Sequence, residues 1–179
     1  METGNRKFFI LTRREFIKMS MAGAAALGLS PLIQWPKLAQ AYDMKPAVIW
    51  LEGQDCAGCT ESVITYEGIG DVILNVINIR YHETIMAAAG DVAIGALNDT
   101  ITEGGYVLVV EGSIPLAENG DYCVVAGETF KDTVARAALN AAAILPIGAC
   151  ATYGGIPKAG PTDAQGVDAF LTSQGISKP

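Results

Sequence analysis

Gly105-Tyr106-Val107-Leu108-Val109-Val110-Glu111-Gly112 is the stretch that decides the fold class. It is a continuous apolar run of strand length, rich in valine and closed by the turn residues Gly112-Ser113. A run without polar alternation marks a strand buried on both faces, as in a parallel sheet. Upstream, Pro46-Ala47-Val48-Ile49-Trp50-Leu51 has the same character and stops at Glu52-Gly53. Residues 72–79, dense in β-branched side chains, predict a second strand, and 144–147 a fourth, with Pro146 placed where no ladder donor is needed. Between them the spacing predicts helices over 60–66 with Thr60 as N-cap, over 82–97 despite Gly90 and Gly95, and over 129–143. A last helix is expected from a Thr162 or Asp163 cap to Gln174. Strands alternating with helices give an α/β fold: a parallel sheet of about four strands, covered by helices on both faces through right-handed crossovers.

The chain has 179 residues, half of them apolar and only 17% charged, enough for one globular domain with a sizeable core. Its charge is divided. Residues 1–41 carry Arg6, Lys7, Arg13, Arg14, Lys18 and Lys37 against Glu2 and Glu15, a net of +4, while the remainder carries −11. An acidic body offers phosphate backbones no cationic surface, which argues against nucleic acid as a partner.

The basic segment reads as a leader. Arg13-Arg14-Glu15-Phe16-Ile17-Lys18 precedes an Ala/Gly-rich apolar stretch, and Ala39-Gln40-Ala41 supplies a small-residue cleavage site. The paired arginines resemble a twin-arginine (Tat) signal peptide over residues 1–41, leaving 42–179 as the mature domain. The apolar stretch is interrupted by Gly and Pro31 and is short of the roughly 20 residues a spanning helix needs. A signal peptide of this kind sends the protein to the periplasm already folded, which suits one that loads a metal cofactor first.

Four cysteines remain to be placed. Cys56-Ala57-Gly58-Cys59 has the C-x-x-C spacing that lets two thiolates of one tight turn reach a common metal. Cys150 follows the fourth predicted strand, and loops at one sheet edge bring distant residues together. Cys123 joins them only if its loop folds back. On spacing alone an iron-sulfur cluster, zinc, two disulfides and a redox dithiol all stay open, with Cys123 as the default fourth ligand of a cluster.

The stretch Ile49 to Ser62, with Glu52, Asp55, Cys56, Cys59 and Glu61, resembles the proximal-cluster motif of nickel-iron hydrogenase small subunits. Tyr81-His82-Glu83-Thr84-Ile85-Met86-Ala87-Ala88-Ala89-Gly90, Val110-Glu111-Gly112-Ser113-Ile114-Pro115 and Gly148-Ala149-Cys150-Ala151-Thr152-Tyr153-Gly154-Gly155 resemble three further signatures of that family, in its order. The resemblance implies a flavodoxin-like doubly wound sheet. It also implies one proximal [4Fe-4S] cluster held by Cys56, Cys59 and Cys150, and a partner large subunit bearing the nickel-iron centre. A downstream cytochrome or other carrier would take the electrons, with membrane association only through partners.

In the family the fourth ligand lies in a Gly-Cys-Pro-Pro turn, so the resemblance places it beyond Pro179 and keeps Cys123 as the fallback. The medial and distal clusters would belong to a region absent from this sequence. Asn119 to Cys123 resembles a stretch of the selenium-containing subgroup, where this cysteine is not a ligand. Glu52, Asp55, Glu61 and Glu111 are the expected outer-shell acids, Glu111 hydrogen-bonding loops near the cysteines. His82 is expected to cap or pack, and Trp50 and Tyr153 to pack nearby. Two alternative readings are a complex I-like iron-sulfur subunit, which typically has adjacent cysteines, and an exported disulfide-stabilised binding protein without cofactor.

Overall fold

A computed structural model describes residues 45–177. The leader reading, over 1–41, lies outside them. Strand β1 (Ala47–Glu52) leads into helix α1 (Gly58–Ile64), then α2 (Ile69–Asp71), which continues as a π-helical turn (Val72–Val76). Strand β2 (Asn78–His82), helix α3 (Gly90–Glu103) and strand β3 (Val107–Glu111) follow. A small antiparallel hairpin, β4 (Val124–Val125) and β5 (Glu128–Thr129), precedes helix α4 (Phe130–Asn140). Strand β6 (Ala143–Ile147), helix α5 (Gly148–Tyr153) and helix α6 (Val167–Ser173) complete the described residues.

The four long strands are parallel, in the order β2-β1-β3-β6. This is the flavodoxin-like order over four strands, with its switch point between β1 and β3. Ile49 and Leu51 of β1 and Leu108 and Val110 of β3 point into the main core, with Leu97 and Ile101 of α3, Phe130 and Val134 of α4 and Phe170 of α6. Val48, Trp50 and Val109 form a second, smaller cluster on the opposite face. That face is only partly covered: a groove of about 290 Å³ runs over Val48, Trp50, Val109 and Leu145, walled by Ile73 and Ile77. The expectation of helices on both faces therefore holds with one face incompletely sealed.

Four expectations about the elements are corrected. First, α1 begins at Gly58 after an Ala57 N-cap, so Thr60 lies inside the helix and is not its cap. Residues 72–76 are helical and the second strand begins only at Asn78, because Ile69, Val72, Ile73 and Ile77 recur at helical spacing and lay one face on the sheet. The helix expected at 82–97 starts at Gly90, since His82 is the buried last residue of β2. Neither Thr162 nor Asp163 caps α6, whose N-cap is Gly166. Thr129 does cap α4, its hydroxyl accepting the Asp132 N–H at 3.4 Å. No described helix is long and apolar enough to cross a membrane.

Candidate functional site

The chain leaving β1 is stitched to the chain leaving β3. Gly53 N–H donates to the Glu111 carbonyl at 2.8 Å, and Gln54 and Ser113 exchange two backbone bonds at 3.1 and 3.0 Å. This fixes the start of the C-x-x-C turn. Asp55 then closes the turn, its Oδ1 accepting the Ala57 N–H at 2.8 Å, and Ala57 adopts the left-handed region at φ 57°. Gly58 opens α1, so Cys59 sits in a helical first turn and Cys56 just outside it.

Glu111 holds that first turn from a strand 52 residues further on. Its carboxylate accepts the Cys59 N–H at 3.1 Å, the Thr60 N–H at 3.1 Å, the Thr60 hydroxyl at 2.5 Å and the Trp50 indole N–H at 3.2 Å. A carboxylate only 1% exposed is costly to bury without donors, and here four supply its hydrogen bonds. Glu111 thus hydrogen-bonds the turn that carries Cys59. Glu52 stands beside it, accepting the Thr60 hydroxyl at 3.0 Å and the Thr84 hydroxyl at 2.5 Å. Glu61 is exposed on the first turn of α1 and bonds through its backbone to Ala57.

Cys150 arrives from the other direction. After β6 the chain turns at Gly148, φ 77°, directly into α5, a helix the sequence did not announce because it begins on glycine without a capping side chain. A Cβ at Gly148 would lie 2.4 Å from Cys59 Sγ, and one at Gly155, φ 53°, would lie 2.5 Å from Cys150 Sγ. Only glycine lets the backbone pass so close to the two sulfurs. The Cys59 thiol is pushed up by burial, then by the charges of Glu111, Cys56, Cys150 and Asp55, so the three thiols share one neighbourhood. All four cysteines are free, leaving the disulfide reading without a pair.

A family model described as the NADH ubiquinone oxidoreductase 20 kDa subunit matches residues 56–177, a span that contains Cys56, Cys59, Glu111 and Cys150. The chain belongs to this family. Among its relatives, the periplasmic [NiFe] hydrogenase small subunit of Solidesulfovibrio fructosivorans is 41% identical over 176 residues, covering 94% of this chain and 56% of that protein. The hydrogenase-2 small chain of Escherichia coli K12 is 39% identical over 174 residues, 93% of this chain and 46% of that one. The solved [NiFeSe] hydrogenase of Desulfovibrio vulgaris Hildenborough superposes with a TM-score of 0.72 at 37% identity, over 76% of this chain and 52% of that chain. The chain spans about half the length of the curated relatives it matches.

In this member of the 20 kDa subunit family, Cys123 stands apart from the other three cysteines. It is partly buried against the main core, and its thiol is pushed up to about 11 by burial and by the charges of Glu83 and Asp55. No other cysteine contributes to that shift. Among the described residues no three His, Cys, Asp or Glu side chains gather tightly enough to hold a single metal ion. A lone ion draws its ligands to about 2.3 Å from one point, whereas a cluster spreads its thiolates over several irons.

His82 packs as expected: 1% exposed, its ring is stacked on Trp50 at 4.9 Å and its Nδ1 accepts the Thr84 N–H at 3.2 Å. Burial lowers its pKa. Tyr153 does not pack; it projects into solvent at the end of α5, 73% exposed. Asp55, raised by burial despite the Ala57 N–H, leaves its Oδ2 buried without a hydrogen-bond partner. The residue that sequence reasoning passed over is Glu83, whose carboxyl is pushed up to about 7 by burial, against the Glu52 N–H that lowers it and with the charges of Glu52 and Asp55 adding to the rise. Its signal was an acid placed directly after a buried strand end.

Proposed function

We propose that this chain is the electron-transfer small subunit of a periplasmic nickel-iron, or nickel-iron-selenium, hydrogenase. Cys56, Cys59 and Cys150 hold the iron of one proximal [4Fe-4S] cluster, and the fourth ligand comes from chain beyond Pro179. The observation that carries the reading is the meeting of three free thiols from two separate loops beyond the carboxyl ends of β1 and β6, with Gly148 and Gly155 leaving room beside the sulfurs. The donor set fits: soft thiolates, one of them exposed, on loops pinned by backbone bonds.

A bound cluster supplies a reversible one-electron store. The chain's own residues give it shape and potential. Glu111 fixes the Cys59 turn, Asp55 fixes the Cys56 turn, and the surrounding carboxylates disfavour added negative charge. Electrons then pass between a large subunit holding the nickel-iron centre and a downstream cytochrome or other carrier, and the twin-arginine leader delivers the folded protein to the periplasm. The family's own description favours a second reading, a complex I-like subunit. The C-x-x-C spacing and the hydrogenase small subunits among the relatives speak for the first.

The test is made on the full-length protein purified with its partner. Cys150→Ser should lose most of the iron and acid-labile sulfide of this site, while Cys123→Ser should keep both. A protein that carries only zinc rejects the proposal.

A further inference from the structure

Three of the four donors that Glu111 collects belong to the turn it holds: the Cys59 N–H, the Thr60 N–H and the Thr60 hydroxyl. The fourth belongs to the sheet. It is the indole N–H of Trp50, 3.2 Å from Glu111 Oε2. A carboxylate tied only to the turn would move with it, whereas this one is also tied to a residue of β1. Trp50 is the point at which the Cys59 turn is referred back to the rigid part of the fold.

The strand register places it there. Trp50 stands opposite Val109 in the β1–β3 ladder, and Glu111 is two residues further along β3. Side chains two apart on a strand share a face, so the indole and the carboxylate lie on the same side of the sheet. Trp50 also pairs with His82 on its other flank, so ladders to β2 and β3 both hold its backbone. Its ring is stacked on the His82 imidazole at 4.9 Å, with 24° between the planes, and only 7% of the residue is exposed. The imidazole is fixed in turn, since its Nδ1 accepts the Thr84 N–H at 3.2 Å. An aromatic ring confined in this way directs its N–H to one place, and Oε2 is there.

The surroundings give the bond its weight. The indole is part of the floor of the groove of about 290 Å³, next to the apolar side chains of Val48, Val109, Ile73 and Ile77. A hydrogen bond to a carboxylate is stronger in apolar surroundings than in water, and it offsets part of the charge. The charge that remains acts directly on the Cys59 backbone, whose amide nitrogen is 3.1 Å from Glu111 Oε1. Hydrogen bonds and net charge around the thiolates set the potential of a cluster.

We propose that Trp50 is a positioning residue that tunes the redox potential of the cysteine site, acting through its hydrogen bond to Glu111 and the hold of Glu111 on the Cys59 amide. This rests on the reading that the cysteines carry a cluster. Without the indole donor, Glu111 presents more of its negative charge to the turn, and an added electron is disfavoured.

The experiment is a redox titration of the full-length complex, in which dithionite supplies one electron per cluster and ferricyanide removes it. It is followed by the electron paramagnetic resonance signal that Cys150→Ser abolishes. Trp50→Phe keeps an aromatic ring against His82 but has no N–H. Its iron and acid-labile sulfide should match the wild type, and its equilibrium constant for reduction should fall about three- to tenfold, tenfold being about 59 mV for one electron. Val48→Ala widens the same groove, leaves the indole bond in place and should keep the wild-type potential. An unshifted potential in Trp50→Phe, or an equal shift in Val48→Ala, overturns the proposal. A folded Trp50→Phe protein without iron overturns it too, because the bond then serves to retain the cluster and not to tune it. If Trp50→Phe does not fold, the benzothiophene analogue of tryptophan at this position keeps both rings, replaces the N–H by sulfur and must show the same fall. A wild type with zinc in place of iron rejects the cluster and the inference together, whereas full iron and sulfide with an unmoved potential rejects the inference alone.

Discussion

The two faces of the sheet are built from alternate residues of the same strands and end up in opposite conditions. Ile49, Leu51, Leu108 and Val110 lie under α3, α4 and α6 with at most 1% of their surface exposed. Val48, Trp50 and Val109 look into an apolar groove whose floor continues to Leu145 on β6, still 51% exposed. Chain stability therefore concentrates on the first face. The second face carries the parts that hold the cysteine turn, because Trp50 reaches from it to Glu111.

The largest effect that sharpens this contrast is expected at Phe130, 1% exposed on the sealed side, its ring against Gly53. Phe130→Ala should cost about 3–5 kcal/mol of unfolding free energy, measured by urea denaturation of the purified protein. A loss below about 1 kcal/mol would mean that the sealed face does not dominate stability.

A middle-sized effect comes from the acid inside the sealed side. The folded-state pKa of Glu83 lies above its free value of 4.5, at about 7, so the folded protein binds the proton more tightly. Its contribution to stability is then complete below pH 4.5 and is lost as pH rises through about 7. Replacing it with glutamine should remove about 1–2 kcal/mol of that decline, allowing for solvent screening. Denaturation midpoints at pH 5 and pH 8 read the difference directly, and equal declines in both proteins would contradict it.

The smallest effect is expected on the open face. Leu145→Ala should cost less than about 1 kcal/mol, since half of the side chain is already in water. A cost equal to that of Phe130→Ala would break the comparison between the faces.

Much of this architecture was legible in the sequence, and the parts that were not share a cause. β1, β3 and β6 showed themselves as apolar runs bounded by Gly or acid, a signal that burial makes clear in the two central strands β1 and β3, while the edge strand β6 shares the pattern without being buried. Residues 72–76 misled because β-branched composition and helical spacing pointed different ways, and packing on the sheet decided for spacing. At the site, the grouping of Cys56, Cys59 and Cys150 follows from where they fall relative to strand ends, whereas Cys123 packs against the main core. The two glycines beside the sulfurs and the exposed position of Glu83 to a cavity were hidden, since both depend on distances between segments far apart in the chain.

The indole bond from Trp50 to Glu111 has a practical corollary. Of the two tryptophans, Trp35 falls in the segment that reads as a cleaved leader. Among residues 42–179 that leaves Trp50 as the single tryptophan, bonded to the carboxylate that positions Cys59 and stacked on His82. Ordinary emission spectra should thus report loading and loosening of this corner of the molecule without any added label.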